Sequence, residues 1–292
     1  MKPAPFEYLA PESFSEALVA LAKHAPEAKI LAGGQSLMPL LNFRLLKPSI
    51  LIDLNRIREL GYIKEVPEGL LIGTMTRQSS VERSQLVKER CPLLTEAMKH
   101  IGHVAIRHRG TIGGSLVHGD PAAELPSVAL ALEAKFTVVG RSGDRTIPAD
   151  EFFIDYLTTA VGPEEILKET IFPSPPPSTG YAVEEFVRRH GDFALAGVTA
   201  VVELDQEGKI ADSRLALFGV APTAVRARKT EAALRGERPS LDLFRAAASL
   251  LDDVIDPPSD IHASSEYRRK VAAVLTVRAL ERAVSRCQMR PA

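Results

Sequence analysis

Apolar residues along the chain fall into two patterns, helical periods and short unbroken runs, and the two alternate. Ser13-Phe14-Ser15-Glu16 has the form of a capping box, and Ala17, Leu18, Leu21 and Ala22 follow on one face of a helix predicted over about residues 13–25. Lys29-Ile30-Leu31-Ala32 is an apolar run that stops at Gly33-Gly34, ahead of the apolar segment Leu37-Met38-Pro39-Leu40-Leu41. That order is strand, glycine turn, helix. Ile50-Leu51-Ile52-Asp53-Leu54 and Leu70-Leu71-Ile72-Gly73 read as further strands, together suggesting one small mixed sheet. Residues 81–87 read as a helix, and Leu93, Leu94, Ala97, Met98 and Ile101 keep a helical period after Pro92. A helix over 125–132, with Pro126 in its first turn, precedes strands at 136–140 and 166–172.

Pro173-Ser174-Pro175-Pro176-Pro177-Ser178 removes backbone donors and stiffens the chain, so a spacer between domains is expected there. Beyond it, residues 181–187, 194–204 and 215–220 read as three strands, with Gln206-Glu207-Gly208 a turn between the second and third. Helices over 230–234, 241–251 and 265–286 complete the pattern, the last with Val271, Val274, Leu275, Ala279 and Leu280 at helical spacing. The expected C-terminal unit is a three-stranded antiparallel sheet packed on a helical layer, which makes the fold class α+β.

With 292 residues the chain has room for two or three domains. A net charge of -1, with basic residues spread throughout, supplies no patch for nucleic acid. No apolar run approaches a membrane span, and the first residues lack the apolar core of a signal peptide, so a cytoplasmic protein is expected. Cys91 and Cys287 are the only cysteines. An all-cysteine iron–sulfur cluster takes four thiolates, so any cluster serving this chain sits on another chain.

Two stretches carry chemistry. Gly33-Gly34 and Gly113-Gly114 are each flanked by small or hydroxyl residues, a composition that lets backbone amides surround an anion. Two such cradles suit a diphosphate. No two glycines in the chain have the G-x-G spacing that opens a Rossmann fingerprint. Gly114 and Gly119 have P-loop spacing, but Asp120-Pro121 stands where Lys and Ser or Thr belong. Gly34-Gln35-Ser36-Leu37-Met38 lacks the closing glycine of a nucleophile elbow. His100, His103, His108 and His118 cluster without zinc-type spacing, so packing roles are expected of them. Asp53 is either a strand-end cap or a ribose contact.

Ala32-Gly33-Gly34-Gln35-Ser36-Leu37, Thr111-Ile112-Gly113-Gly114-Ser115, the segment His118-Gly119-Asp120-Pro121-Ala122-Ala123-Glu124-Leu125-Pro126 and Gly191-Asp192-Phe193-Ala194-Leu195-Ala196 resemble the FAD-binding medium subunit of the molybdenum hydroxylases. That family includes aerobic carbon monoxide dehydrogenase and xanthine dehydrogenase, and the similarity covers nearly the whole chain. The resemblance implies a PCMH-type FAD-binding domain of two α/β subdomains, residues 1–56 and 57–172, a linker at 173–180 and a C-terminal flavoprotein domain at 181–292. It implies that Ala32, Gly33, Gly34, Gln35, Ser36 and Leu37 hold the FAD diphosphate together with Thr111, Gly113, Gly114 and Ser115. Ile101, Ile106 and Gly110 would line the adenosine side, with Asp120 and Glu124 as acidic neighbours. Leu167, Arg188 and Phe193 would serve the ring system, Phe193 standing where the carbon monoxide dehydrogenase branch often has tyrosine.

The function implied is electron transfer. A large partner subunit carries the molybdenum cofactor, a small one carries 2Fe-2S clusters, and FAD on this chain passes electrons to an external acceptor, with no catalytic acid–base pair or metal ligand required here. The alternative is a stand-alone FAD-dependent oxidase or dehydrogenase of the same fold, acting on a small alcohol or sugar.

Overall fold

The computed structural model describes residues 2–176 and 178–289, so Pro177 of the proline run and the chain ends lie outside the described residues. The first layer comprises β1 (Glu7–Leu9), α1 (Phe14–His24), β2 (Ala28–Leu31), α2 (Leu37–Asn42) and β3 (Ile50–Asp53). Its three strands are parallel, in the order β1-β3-β2. Ala17 and Leu21 of α1 pack on Ile50 and Ile52, so the capped helix covers the sheet. Ser13 Oγ accepts the Glu16 amide at 3.2 Å, but the Glu16 carboxylate reaches the Glu12 amide, one residue earlier than the box pattern gives.

The second layer comprises β4 (Ile63–Val66), β5 (Gly69–Gly73), α3 (Gln78–Arg83), α4 (Gln85–Arg90), α5 (Pro92–Met98), α6 (Val104–Arg109), α7 (Ile112–His118), α8 (Glu124–Ala131), β6 (Lys135–Gly140), β7 (Gly143–Pro148), α9 (Ala149–Phe152), β8 (Phe153–Asp155), β9 (Thr158–Thr159) and β10 (Ile166–Pro173). Five strands form an antiparallel sheet in the order β4-β5-β10-β6-β7. Residues 50–54 and 70–73 therefore belong to different sheets, not to one mixed sheet. An apolar run reports burial but not which strand it pairs with. The helix expected at 81–87 is two helices, because Ser84 leaves helical geometry (ψ 122°) and its hydroxyl accepts the Val87 amide as the cap of α4.

The third layer comprises β11 (Gly180–Phe186), β12 (Ala196–Leu204), β13 (Ile210–Phe218), β14 (Val225–Arg226), α10 (Arg228–Leu234), α11 (Leu241–Ala248) and α12 (Ser265–Met289). The three expected strands are antiparallel neighbours, and the two-residue β14, too short to leave a pattern, extends the sheet. Helices cover both faces. Val198, Ala200, Val202, Leu215 and Leu217 face α11 and α12, while Val183, Val201, Ala216 and Phe218 join the core built around α5 and α8. Val274 is not part of that packing: it is 51% exposed, because α12 buries the stripe Ala272, Leu275, Ala279, Leu280 and Ala283 and Val274 falls off it.

The contact between the second and third layers includes one buried polar pair. Ser127 Oγ donates to Glu124 O (2.8 Å), so the Thr199 hydroxyl must donate to Ser127 across 2.7 Å, and both residues are fully buried. Ser127→Ala leaves the Thr199 hydroxyl unpaired and is expected to cost about 1–3 kcal/mol in urea unfolding. Adding Thr199→Val removes the orphan and should recover most of that loss.

Candidate functional site

The chain leaves β2 at Leu31 and turns through Ala32, Gly33 and Gly34 before α2 starts at Leu37. Gly34 has φ +75°, which a side chain rarely adopts. Among the described residues, the amides of Gly34, Gln35 and Ser36 meet no protein acceptor, and Ser36 makes no side-chain cap. The turn therefore presents free N–H groups at the start of a helix, where backbone dipoles favour an anion.

The second stretch is not the cradle of free amides that its composition suggested, because the amides of Ile112, Gly113, Gly114 and Ser115 all meet protein acceptors. Gly113 and Gly114 lie inside the first turn of α7, whose cap is Thr111, with Thr111 Oγ1 accepting the Gly114 amide at 3.0 Å. Residues 74–78 brace it: Ile112 N donates to Thr76 O (3.0 Å), Gly113 N to Thr74 O (2.9 Å) and Gln78 N to Gly110 O (3.0 Å).

These two stretches touch. A Cβ on Gly33 would lie 2.5 Å from Arg109 O and 2.8 Å from Gly110 Cα, and one on Gly114 would lie 3.3 Å from the Ala32 methyl. Polar side chains fix the contact. Asn55 Nδ2 donates to Ala32 O (2.8 Å), and Arg77 donates to Asn55 Oδ1 (2.6 Å) and to Arg109 O. Asp53 accepts from the Asn55 amide (2.8 Å) and from the Tyr8 hydroxyl (2.5 Å), so its role is to cap the end of β3. Neither Asn55 nor Arg77 stands out in the sequence. The one available signal is that polar residues follow directly on the buried strands β3 and β5.

Other expected site residues are placed as follows. Asp120 caps its own turn, Oδ1 accepting the Ala122 amide at 2.9 Å, and Glu124 opens α8. Ile106 is partly exposed on α6. The side chains of Ile101 and Leu167 are in the core around α5 and α8, which leaves Leu167 only its main chain to offer a ring system. Arg188 Nη1 lies 2.9 Å from His262 Nδ1, and Phe193 is 62% exposed. The Gly191 turn rests on the His103 ring, which meets His190 edge-on, while His100 Nδ1 pairs with Glu185 at 3.1 Å.

Residues 4–175 match the family model described as the FAD binding domain in molybdopterin dehydrogenase, and residues 181–283 match the CO dehydrogenase flavoprotein C-terminal domain. The chain belongs to this family of molybdopterin dehydrogenase flavoproteins. It is 40% identical to 6-hydroxypseudooxynicotine dehydrogenase complex subunit alpha of Paenarthrobacter nicotinovorans, covering 99% of this chain and 97% of that one. It is 39% identical to the carbon monoxide dehydrogenase medium chain of Hydrogenophaga pseudoflava, covering 98% and 100%. A solved structure of the Hydrogenophaga pseudoflava carbon monoxide dehydrogenase superposes with a TM-score of 0.96 at 40% identity, over 98% of this chain and all of that one. Quinoline 2-oxidoreductase from Pseudomonas putida 86 gives 0.93 at 34% identity, over 98% of this chain and 99% of that one.

The residues present fit the cofactor that the family is named for. The touching turns leave no room for a Cβ at Gly33, and the free amides beside it suit a diphosphate. In this member of the family Glu124 is buried beside Glu185, His100 and Asp120, and loss of water pushes its carboxyl up to about 8. The Glu185 hydrogen bond raises His100, and burial lowers His118. The folded chain holds a proton on Glu124 that the unfolded chain loses near 4.5. Its contribution is therefore complete below about pH 4.5 and disappears as pH rises toward 8; His100, also raised, adds a loss in the same direction, while His118, lowered, opposes it only below about pH 6.5. Urea unfolding without added FAD should show stability falling between pH 5 and 8, and Glu124→Gln should flatten that slope by up to about 1.4 kcal/mol per pH unit.

Proposed function

We propose that this chain is the FAD-carrying electron-transfer subunit of a heteromeric molybdenum hydroxylase. It takes electrons from the 2Fe-2S clusters of a small partner subunit, downstream of a large subunit holding the molybdenum cofactor, and hands them to an external acceptor. The observation that carries this is the contact between the two glycine turns, Gly33 against Gly110 and Gly114 against Ala32, in a chain of this family. Bound FAD supplies a carrier that accepts and releases electrons singly or in pairs.

The chain's own residues bind and orient. Residues 32–36, with the start of α7 at 111–115, would hold the diphosphate; Ile101, Ile106, Gly110, Asp120 and Glu124 would border the adenosine; the Leu167 backbone, Arg188 and Phe193 would border the ring system. In this reading 1–56 and 57–172 form the FAD-binding subdomains, 173–180 the linker and 181–292 the C-terminal domain, and the complex works in the cytoplasm. The two cysteines are both buried, too few and too enclosed to bind a cluster, which puts the iron–sulfur centres on a partner. The relatives are named as a medium chain and a complex subunit, and this chain spans nearly all of each, which supports the same division of labour over a stand-alone oxidase.

Co-expression with the partner subunits and purification tests it. The expected complex contains one FAD per copy of this chain, together with molybdenum and iron. A complex that assembles without FAD overturns the proposal.

A further inference from the structure

Arg268 stands in the first turn of α12, outside both glycine turns, and its guanidinium joins the segment that carries Phe193 to a loop bonded to the segment leaving α7. It is 5% exposed. Nη1 donates to Leu195 O at 2.6 Å and, more weakly, to Gly219 O at 3.4 Å; Nη2 donates to Asp260 Oδ2 at 2.7 Å. Leu195 ends the segment 188–195 that carries Arg188 and Phe193. The Gly219 amide donates to Pro121 O at 2.7 Å, in the segment leaving α7. The two segments are packed together, since a Cβ on Gly219 would lie 2.9 Å from Ala194 O and 3.2 Å from Leu195 O.

The other end of the 188–195 segment is held separately. Gly191 rests on the His103 ring, and the Asp192 amide donates to Arg189 O at 3.0 Å. Asp260 is itself fixed, its second oxygen accepting the amides of His262 (2.8 Å) and Ala263 (2.9 Å), and the His262 ring leads back to Arg188. Between these anchors Phe193 holds a large apolar ring out to solvent, 62% exposed. A planar fork with five donors can set two carbonyls and a carboxylate in fixed relation, which an ammonium cannot.

We propose that Arg268 is a positioning residue for the flavin. Through Leu195 and Gly219 it sets where Phe193 stands relative to the segment leaving the second glycine turn, and so controls how far solvent reaches the ring system. This rests on the FAD-carrying function proposed above. Arg268 does not touch the cofactor; it acts through the backbone of the Phe193 segment.

The test uses the assembled complex with Arg268→Met, Arg268→Lys, Asp260→Asn and Phe193→Ala, reading FAD content, thermal midpoint and iodide quenching of flavin fluorescence. Arg268→Met should raise the quenching constant about threefold at unchanged FAD content, and Phe193→Ala should raise it at least as much per bound FAD. Arg268→Lys should give an intermediate value. Asp260→Asn keeps the backbone cap but loses the charge that orients the guanidinium, and should give a smaller rise. Quenching equal to wild type in Arg268→Met overturns the proposal even if the thermal midpoint falls, as does an unchanged constant in Phe193→Ala. Should Arg268→Met fail to assemble, wild-type quenching in both Arg268→Lys and Asp260→Asn overturns it. A wild-type complex without FAD overturns the underlying function instead, and this proposal with it.

Discussion

Gly33→Val gives a folded chain that binds FAD at least ~100-fold more weakly. The new Cβ would sit 2.5 Å from Arg109 O and 2.8 Å from Gly110 Cα, both backbone atoms of the opposing turn, so no side chain can swing away. The turns must separate, and overpacking of this kind costs about 1–3 kcal/mol. Separation also moves the free amides at residues 34–36 away from the start of α7. The amides of Ile112, Gly113 and Gly114 already serve protein acceptors, so a diphosphate relies on the amides at 34–36, and displacing two of those donors lowers affinity at least ~100-fold, about 2.7 kcal/mol. Flavin absorbance per chain measures uptake, and far-ultraviolet circular dichroism checks the fold. Gly208→Val is the control: φ there is +75°, but nothing lies within 4 Å of the added carbon, so it carries backbone strain alone and should keep its FAD. Full flavin content in Gly33→Val would rule out the two-turn site.

Arg77→Met should weaken both the fold and the site. The side chain is half-buried; burial and the neighbouring Arg109 charge pull its pKa down, so it occupies a place that is unfavourable for a cation. Its hydrogen bonds to Asn55 Oδ1 and Arg109 O offset that cost. Methionine keeps the volume and leaves both acceptors without their donor, a loss of about 2–3 kcal/mol in urea unfolding. Because Asn55 in turn holds Ala32 O, the first glycine turn loosens as well, and FAD affinity should fall roughly 10-fold or more, about 1.4 kcal/mol. Arg77→Lys should fall between, since one ammonium cannot serve both acceptors at the fork's geometry. An Arg77→Met chain with wild-type stability and affinity would mean that the turns hold together without this link.

How much of this was legible in the sequence depended on whether a residue's role is local. Gly33-Gly34 could be read because a turn that presents free amides at a positive φ calls for glycine, whereas Gly113-Gly114 has the same composition but spends its amides on Thr74 O and Thr111 Oγ1, a difference composition does not carry. The capped start of α1 and the long strand β12 could be read because hydroxyl caps and unbroken apolar runs are short-range signals, whereas β13 was read only from Leu215 because its first half, Ile210 to Arg214, is largely polar. Strand partners could not: Ile50 to Asp53 and Leu70 to Gly73 look alike, yet one pairs in a parallel sheet and the other in an antiparallel one. β7 was invisible because five of its six residues are exposed, leaving no alternation. Asn55 and Arg77 were invisible for another reason. Polar loop residues are common, and what distinguishes these two is that each reaches a carbonyl more than twenty positions away. Helix 81–87 failed at Ser84, a residue that favours a cap over a helix interior but gives no warning of which it will be.

The sheet of the third layer gives one face to α11 and α12 and the other to α5 and α8, and that has a consequence for recombination among related subunits. A chimaera joined at the proline run would inherit Val183, Ala216 and Phe218 from one parent and the helices they pack against from the other. Exchange should succeed only when α5 and α8 travel with the strands, so the seam that tolerates shuffling lies inside the N-terminal half, away from the linker where the chain looks easiest to cut.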